Sequence, residues 1–130
     1  MNAANAYVRT RNETASKERL MVLLFERALA HMRTGAVAFD EGRPIDATLV
    51  LSKANDIVTE LSATLDVSRD PELGQNLKAL YLFVCTRLLR AMTAKDAVAA
   101  REAERVFAPI ADAFGQAVAA LTNSAAGRAP

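Results

Sequence analysis

Residues 14–32, TASKERLMVLLFERALAHM, set a polar, serine-containing segment directly against six consecutive large apolar residues, Leu20-Met21-Val22-Leu23-Leu24-Phe25. On a helix turning about 100° per residue, Met21, Val22, Phe25, Ala28, Leu29, Met32, Ala36 and Phe39 gather within roughly 60° of one direction, a stripe that can face a core. Leu20 and Leu23 fall on the far side with Arg27 and Thr34. This helix therefore carries more apolar surface than one core contact uses. Either a second layer of the monomer or a partner has to cover the rest.

Working outward, Thr14 or Ser16 can accept from the unpaired amides of a first helical turn, and Glu18 suits the positive end of the helix dipole. The first helix is expected to begin there. Residues 1–13, MNAANAYVRTRNE, then form a flexible N-terminal arm whose one large anchor is Tyr7. The helix stops at Asp40-Glu41-Gly42-Arg43-Pro44, where Gly42 can take the left-handed conformation and Pro44 can open the next helix.

A second helix, about Pro44 to Leu65, places Ala47, Val50, Leu51, Ala54, Ile57, Val58, Leu61 and Leu65 on one face, with Ile45 and Leu49 as apolar exceptions on its polar side. Asp70 as N-cap, with Pro71 and Glu72 behind it, starts a third helix of about Pro71 to Met92. It turns Leu73, Leu77, Leu80, Tyr81, Val84, Leu88 and Ala91 to one side and carries Leu82, Phe83 and Leu89 on its back.

The break to a fourth helix, about Ala94 to Leu121, rests on Thr93 as N-cap with Asp96 at N3. Its stripe, Ala99, Ala103, Val106, Phe107, Ile110, Phe114, Ala117 and Leu121, is rich in alanine, and Pro109 predicts a kink. Residues 122–130 are expected to be a disordered tail. Links this short leave no room for crossovers, so successive helices must alternate in direction. The expected fold is all-α: an antiparallel up-down-up-down four-helix bundle over residues 14–121, with a flexible N-terminal arm.

Composition narrows the function. With 52% apolar residues, five glycines and four prolines, the 130-residue chain fits one helical globular domain. Tryptophan is absent and aromatics are 5%, too few to stack single-stranded nucleic acid. Six basic against three acidic residues give 1–33 a charge of +3, six against eight give 34–94 a charge of −2, and 95–130 is balanced, so no basic face for nucleic acid emerges. One cysteine and one histidine exclude an internal disulfide and a cysteine/histidine zinc cluster. The N-terminus lacks a secretory apolar core, and the run at 20–25 falls far short of the ~20 residues that span a bilayer, so a cytoplasmic protein without membrane insertion is expected.

Catalytic groupings are sparse. There is no glycine-rich phosphate loop, no Glu-x-x-His pair and no histidine placed to activate Cys85, which reads as an inert buried thiol. Asp56 and Glu60 read as solvated surface. No cofactor or metal is implied, and the protein is expected not to be an enzyme. His31 lies about 120° from the core direction of the first helix and is followed by Thr34 and Gly35. Histidine phosphotransfer domains are bundles of this size with an exposed histidine and usually a lysine three residues on, where this chain has Thr34. Phosphotransfer at His31 is thus an alternative to a structural surface histidine. The surplus leucines leave three readings open: burial in an irregular core, a homodimer contact, or a groove for a partner helix.

Ala6-Tyr7, then Thr14-Ala15-Ser16 leading into Leu20-Met21-Val22-Leu23-Leu24-Phe25-Glu26-Arg27-Ala28, resembles the N-terminal signature of the FliS flagellin-export chaperones. Lys53-Ala54-Asn55-Asp56-Ile57-Val58, Glu60-Leu61, Leu65-Asp66, Asn76-Leu77-Lys78-Ala79-Leu80-Tyr81 and Arg87-Leu88 are similar to the middle of that family in order and spacing. The resemblance implies a non-enzymatic cytosolic chaperone. It would hold the disordered C-terminal region of flagellin in apolar grooves, prevent early polymerisation and present it to the flagellar type III export gate, with the tyrosine-bearing arm covering part of that surface when no client is bound.

On this reading the partner-binding residues are Tyr7, Leu20, Leu23, Leu24, Leu49, Leu82, Phe83 and Leu89. The family usually opens its first helix with Ser-Pro-Glu-Glu. Ser16-Lys17-Glu18-Arg19 lacks that proline and the last glutamate, so fraying is expected at this helix start.

Overall fold

The computed structural model describes residues 3–127 as four helices, α1 (Ala3–Asp40), α2 (Pro44–Ala63), α3 (Pro71–Ala94) and α4 (Ala97–Gly127). Helix α1 packs on α2 and α4, and α3 packs on the same two, so the helices form a four-cornered ring with α1 and α3 on one diagonal. Antiparallel pairing follows from cross-helix contacts: Arg33 pairs with Glu104 at 2.7 Å, Asp40 pairs with Arg101, and the ring of Phe25 stacks on Phe107 and Phe114. The up-down-up-down bundle expected from the sequence is the fold observed.

Chain reversal is set by local chemistry. After α1, Gly42 has φ 72°, and the amides of Gly42 and Arg43 donate to the carbonyls of Phe39 and Ala38 at 3.1 and 2.8 Å, the bonding pattern of a Schellman cap. Pro44 then opens α2, where its missing amide costs nothing. Asp70 caps α3 by accepting from the Leu73 amide at 3.2 Å, with Pro71 in the first turn. At the third link Lys95 stands in the left-handed region at φ 53°, and the Asp96 amide donates to Ala91 at 3.0 Å.

Five boundaries differ from expectation, the end of α2 among them, at Ala63 rather than Leu65. Helix α3 runs past Thr93, and Asp96 rather than Thr93 caps α4, its carboxylate accepting from the amides of Val98 and Ala99 at 3.0 and 3.3 Å. The Thr93 hydroxyl instead bonds back to the Leu89 carbonyl at 2.9 Å, which a mid-helix threonine can do. Helix α1 does not start at Thr14 or Ser16 but extends back to Ala3, so no frayed start stands at Ser16–Arg19. Once a helix is nucleated, each added residue gains a hydrogen bond without a new nucleation cost, and the segment before Thr14 contains neither Gly nor Pro to stop it. By the same logic α4 passes through Pro109 and beyond Leu121 to Gly127, where residues 122–127 were expected to be tail.

The core is built from Phe25, Ala28, Met32 and Ala36 of α1, Leu51, Ala54, Val58 and Leu61 of α2, Tyr81, Val84, Leu88 and Ala91 of α3, and Ala99, Ala100, Ala103 and Phe107 of α4. Gly35 lets α1 and α2 meet: a Cβ there would lie 2.5 Å from the Leu51 side chain. Not every residue of the sequence stripes is buried. Leu73 and Leu80 of α3 are 55% and 40% exposed, and Leu121 of α4 is 58% exposed. These belong to the end where α3 begins and α4 finishes, and there the bundle stays open.

Candidate functional site

At the open end the four helices enclose a cavity of about 750 Å³. Its floor is Phe25, Leu61 and Tyr81, all buried; Met21 of α1, Leu77 of α3 and Ile110 and Phe114 of α4 form the walls. Leu65, Leu73, Pro109 and Ala113 continue the apolar surface to the mouth, and Thr64, Asp66 and Arg69 of the α2–α3 link form a polar rim. The link lies close against α3 because residue 74 is glycine: a Cβ there would sit 2.9 Å from the Val67 Cα. Asp66 braces the link by accepting from the hydroxyl and amide of Ser68, which hold its carboxyl below the usual range. Burial pushes the Tyr81 phenol up, so it faces the cavity neutral. A cavity with aliphatic and aromatic walls, one polar edge and an open side suits the apolar face of a helix.

Of the expected partner-binding residues whose side chains are described, none lines this cavity. Leu20 and Leu23 of α1, Leu49 of α2 and Leu82, Phe83 and Leu89 of α3 are all exposed, and Leu24 is half-buried. They do not form one surface, because α1 and α3 sit at opposite corners of the ring. Adjacent in sequence, Leu82 and Phe83 diverge by about 100°, and Phe83 lies under the Arg87 guanidinium at 5.8 Å. The Tyr7 side chain lies outside the described residues. Residues that sequence reasoning missed as a site, Leu73, Leu77, Ile110 and Phe114, carry the same apolar periodicity as core. Only their placement beyond the closed part of the bundle distinguishes them.

Known proteins supply the remaining observation. A family model described as "Flagellar protein FliS" matches residues 1–121. The chain belongs to the FliS family. It is 32% identical over 106 residues to the flagellar secretion chaperone FliS of Escherichia coli strain K12, covering 81% of this chain and 78% of that protein. The namesake chaperone of Salmonella typhimurium is 33% identical over 104 residues, with coverages of 79% and 77%. That of Bacillus subtilis strain 168 is 29% identical over 117 residues, with coverages of 90% and 86%.

Within this FliS-family bundle the titratable candidates occupy other places. Cys85 is half-buried between α2 and α3, with its Sγ 3.9 Å from the Thr59 hydroxyl; burial raises the thiol pKa and so keeps the thiolate scarce. His31 lines an open cleft of about 430 Å³ on the outer side of α1 and α2, together with Arg27, Lys53, Asp56 and Ile57. Partial burial first, then the charges of Lys53 and Arg27, lower its pKa. No group of three or more His, Cys, Asp or Glu that could hold a metal occurs among the described residues, and none of their helices is long and apolar enough to cross a membrane.

Proposed function

We propose that this protein is a cytoplasmic export chaperone that holds the C-terminal segment of flagellin, keeps it from polymerising early and delivers it to the flagellar type III export apparatus. The observation that carries this reading is the open apolar cavity enclosed by the four helices in a chain of the FliS family. A disordered client segment gains helix and buries its apolar face at once when it enters such a groove, which offsets the entropy of ordering it. In this reading α4 residues after Phe114 extend the surface over which a long client can lie. Residues 1–13, with Tyr7, remain the candidate cover for client-free protein.

Calorimetry with a peptide of the organism's own flagellin C-terminus is the direct test. Tight binding with a negative heat-capacity change is expected, weakened at least tenfold by Ile110→Glu, which puts a charge on the cavity wall. A peptide that releases no heat across a range of temperatures overturns the proposal.

A further inference from the structure

The outer face of α1 and α2 bears no resemblance to the cavity. Leu20, Leu24, Arg27 and His31 follow a four-three-four spacing on α1, the repeat that lines up side chains along the seam on which a neighbouring helix packs. Gly35 against Leu51, and His31 beside Lys53, set α2 antiparallel to this stripe. The apolar end of the seam is therefore exposed at Leu20, and its middle is the cleft floored by Ile57.

Arg27 and Lys53 line that cleft and neither makes an ion pair among the described residues, although Asp56 lines the same space. Arg33, two residues from His31 on the α4 side of α1, is by contrast bound to Glu104. Two unpaired cations against one carboxylate, with the neutral imidazole between them, leave the middle of the seam positive. The next carboxylate on α2, Glu60, lies one turn beyond Asp56 towards the apolar end. An unpaired guanidinium beside leucines suits a fork-shaped anion carried on an apolar element.

We propose that this face is a second docking surface, for an amphipathic helix of a protein partner whose aliphatic side chains cover Leu20 and Leu24 and whose carboxylate lands between Arg27 and Lys53. It goes beyond the client reading, because it shares no residue with the cavity.

His31 is the one histidine of the chain and so a single-signal reporter for NMR. The probe is a helical peptide carrying two leucines a turn apart and a glutamate one turn further on, compared with its Glu-to-Gln twin. The acidic peptide is expected to raise the His31 pKa on binding, and the twin to bind about fivefold more weakly, the worth of one partly screened ion pair. Arg27→Gln and Lys53→Gln should each remove that preference while leaving the flagellin-peptide titration unchanged. Equal binding of the two peptides, or a preference that survives both substitutions, overturns the proposal. So does a homodimer seen by light scattering without any peptide and dissociated by Arg27→Gln, which would make a second copy the occupant.

Discussion

The two ends of the bundle are built to different rules. At the closed end the links are three and two residues long, each turned by one left-handed residue, Gly42 or Lys95, and the flanking helices are tied by Asp40–Arg101. At the other end α2 and α3 are joined by residues 64–70, while α1 and α4 run on past them. Leucines on the same stripes are sealed at one end and exposed at the other. Stability is concentrated where the links are tight, and the surface left to bind is where they are not.

The largest expected contrast uses two aromatic residues on one face of α4. Phe107 is fully buried against Phe25, whereas Phe114 stacks on the same ring at 4.8 Å but lines the cavity. Phe107→Ala should cost about 3–5 kcal/mol of unfolding free energy in urea. Phe114→Ala should cost about 1–2 kcal/mol because Phe114 is only partly buried, yet it should weaken flagellin-peptide binding more than Phe107→Ala does. Equal stability costs would mean that the cavity end is as tightly closed as the other.

A second comparison sets Gly35 against Gly74. An added Cβ at residue 35 meets the flexible end of Leu51 inside the core, whereas at residue 74 it meets the Val67 backbone. Both alanine variants are expected to lose about 1–3 kcal/mol through overpacking. The routes differ: Gly35→Ala repacks the core, while Gly74→Ala lifts the 64–70 link. Faster amide exchange confined to that link in Gly74→Ala, and absent in Gly35→Ala, is the expected result; identical exchange patterns would refute it.

Lys95 offers a smaller, opposite effect. A non-glycine residue at φ 53° is held in a conformation that costs it about 1 kcal/mol. Lys95→Gly relieves that strain but makes the unfolded chain more flexible. A net gain of about 0.5 kcal/mol is expected in thermal or urea unfolding, and a loss would show that the Lys95 side chain contributes more than its backbone strain costs.

These contrasts explain which parts of the molecule were legible in its residues. Periodicity located the helices because a buried stripe needs residues three and four apart, and Gly42, Pro44 and Asp70-Pro71 marked two links through backbone chemistry that few other residues supply. The third link was misplaced because a left-handed lysine leaves no compositional trace, and Thr93 looks the same as a cap or as a back-bonded helical residue. The cavity was hidden for a related reason. Leu73, Leu77, Ile110 and Phe114 have the period of core residues, and whether a stripe is covered depends on where the opposing helix starts. Periodicity along one helix carries no such information. The greasy backs of α1 and α3 were legible as a surplus of apolar surface, with burial in an irregular core left open, but their exposure and their separation to opposite corners are properties of the ring.

The smallest effect sharpens the view of the outer α1–α2 face. Partial burial and the charges of Lys53 and Arg27 hold the His31 pKa below its ordinary 6.5. On acidification the unfolded chain therefore takes up this proton before the folded one. Stability should fall as pH drops through 6.5 and level off once the folded-state pKa has been passed. In His31→Gln that component vanishes, so the difference between the two proteins in urea unfolding should grow between pH 7 and pH 5 in favour of the variant. Because both proteins share every carboxylate, the comparison isolates the imidazole. A difference that stays flat across that window would mean that the imidazole is neither partly buried nor facing uncompensated charge from Lys53 and Arg27 in solution, and the positive cleft on which the second docking surface rests would be lost with it.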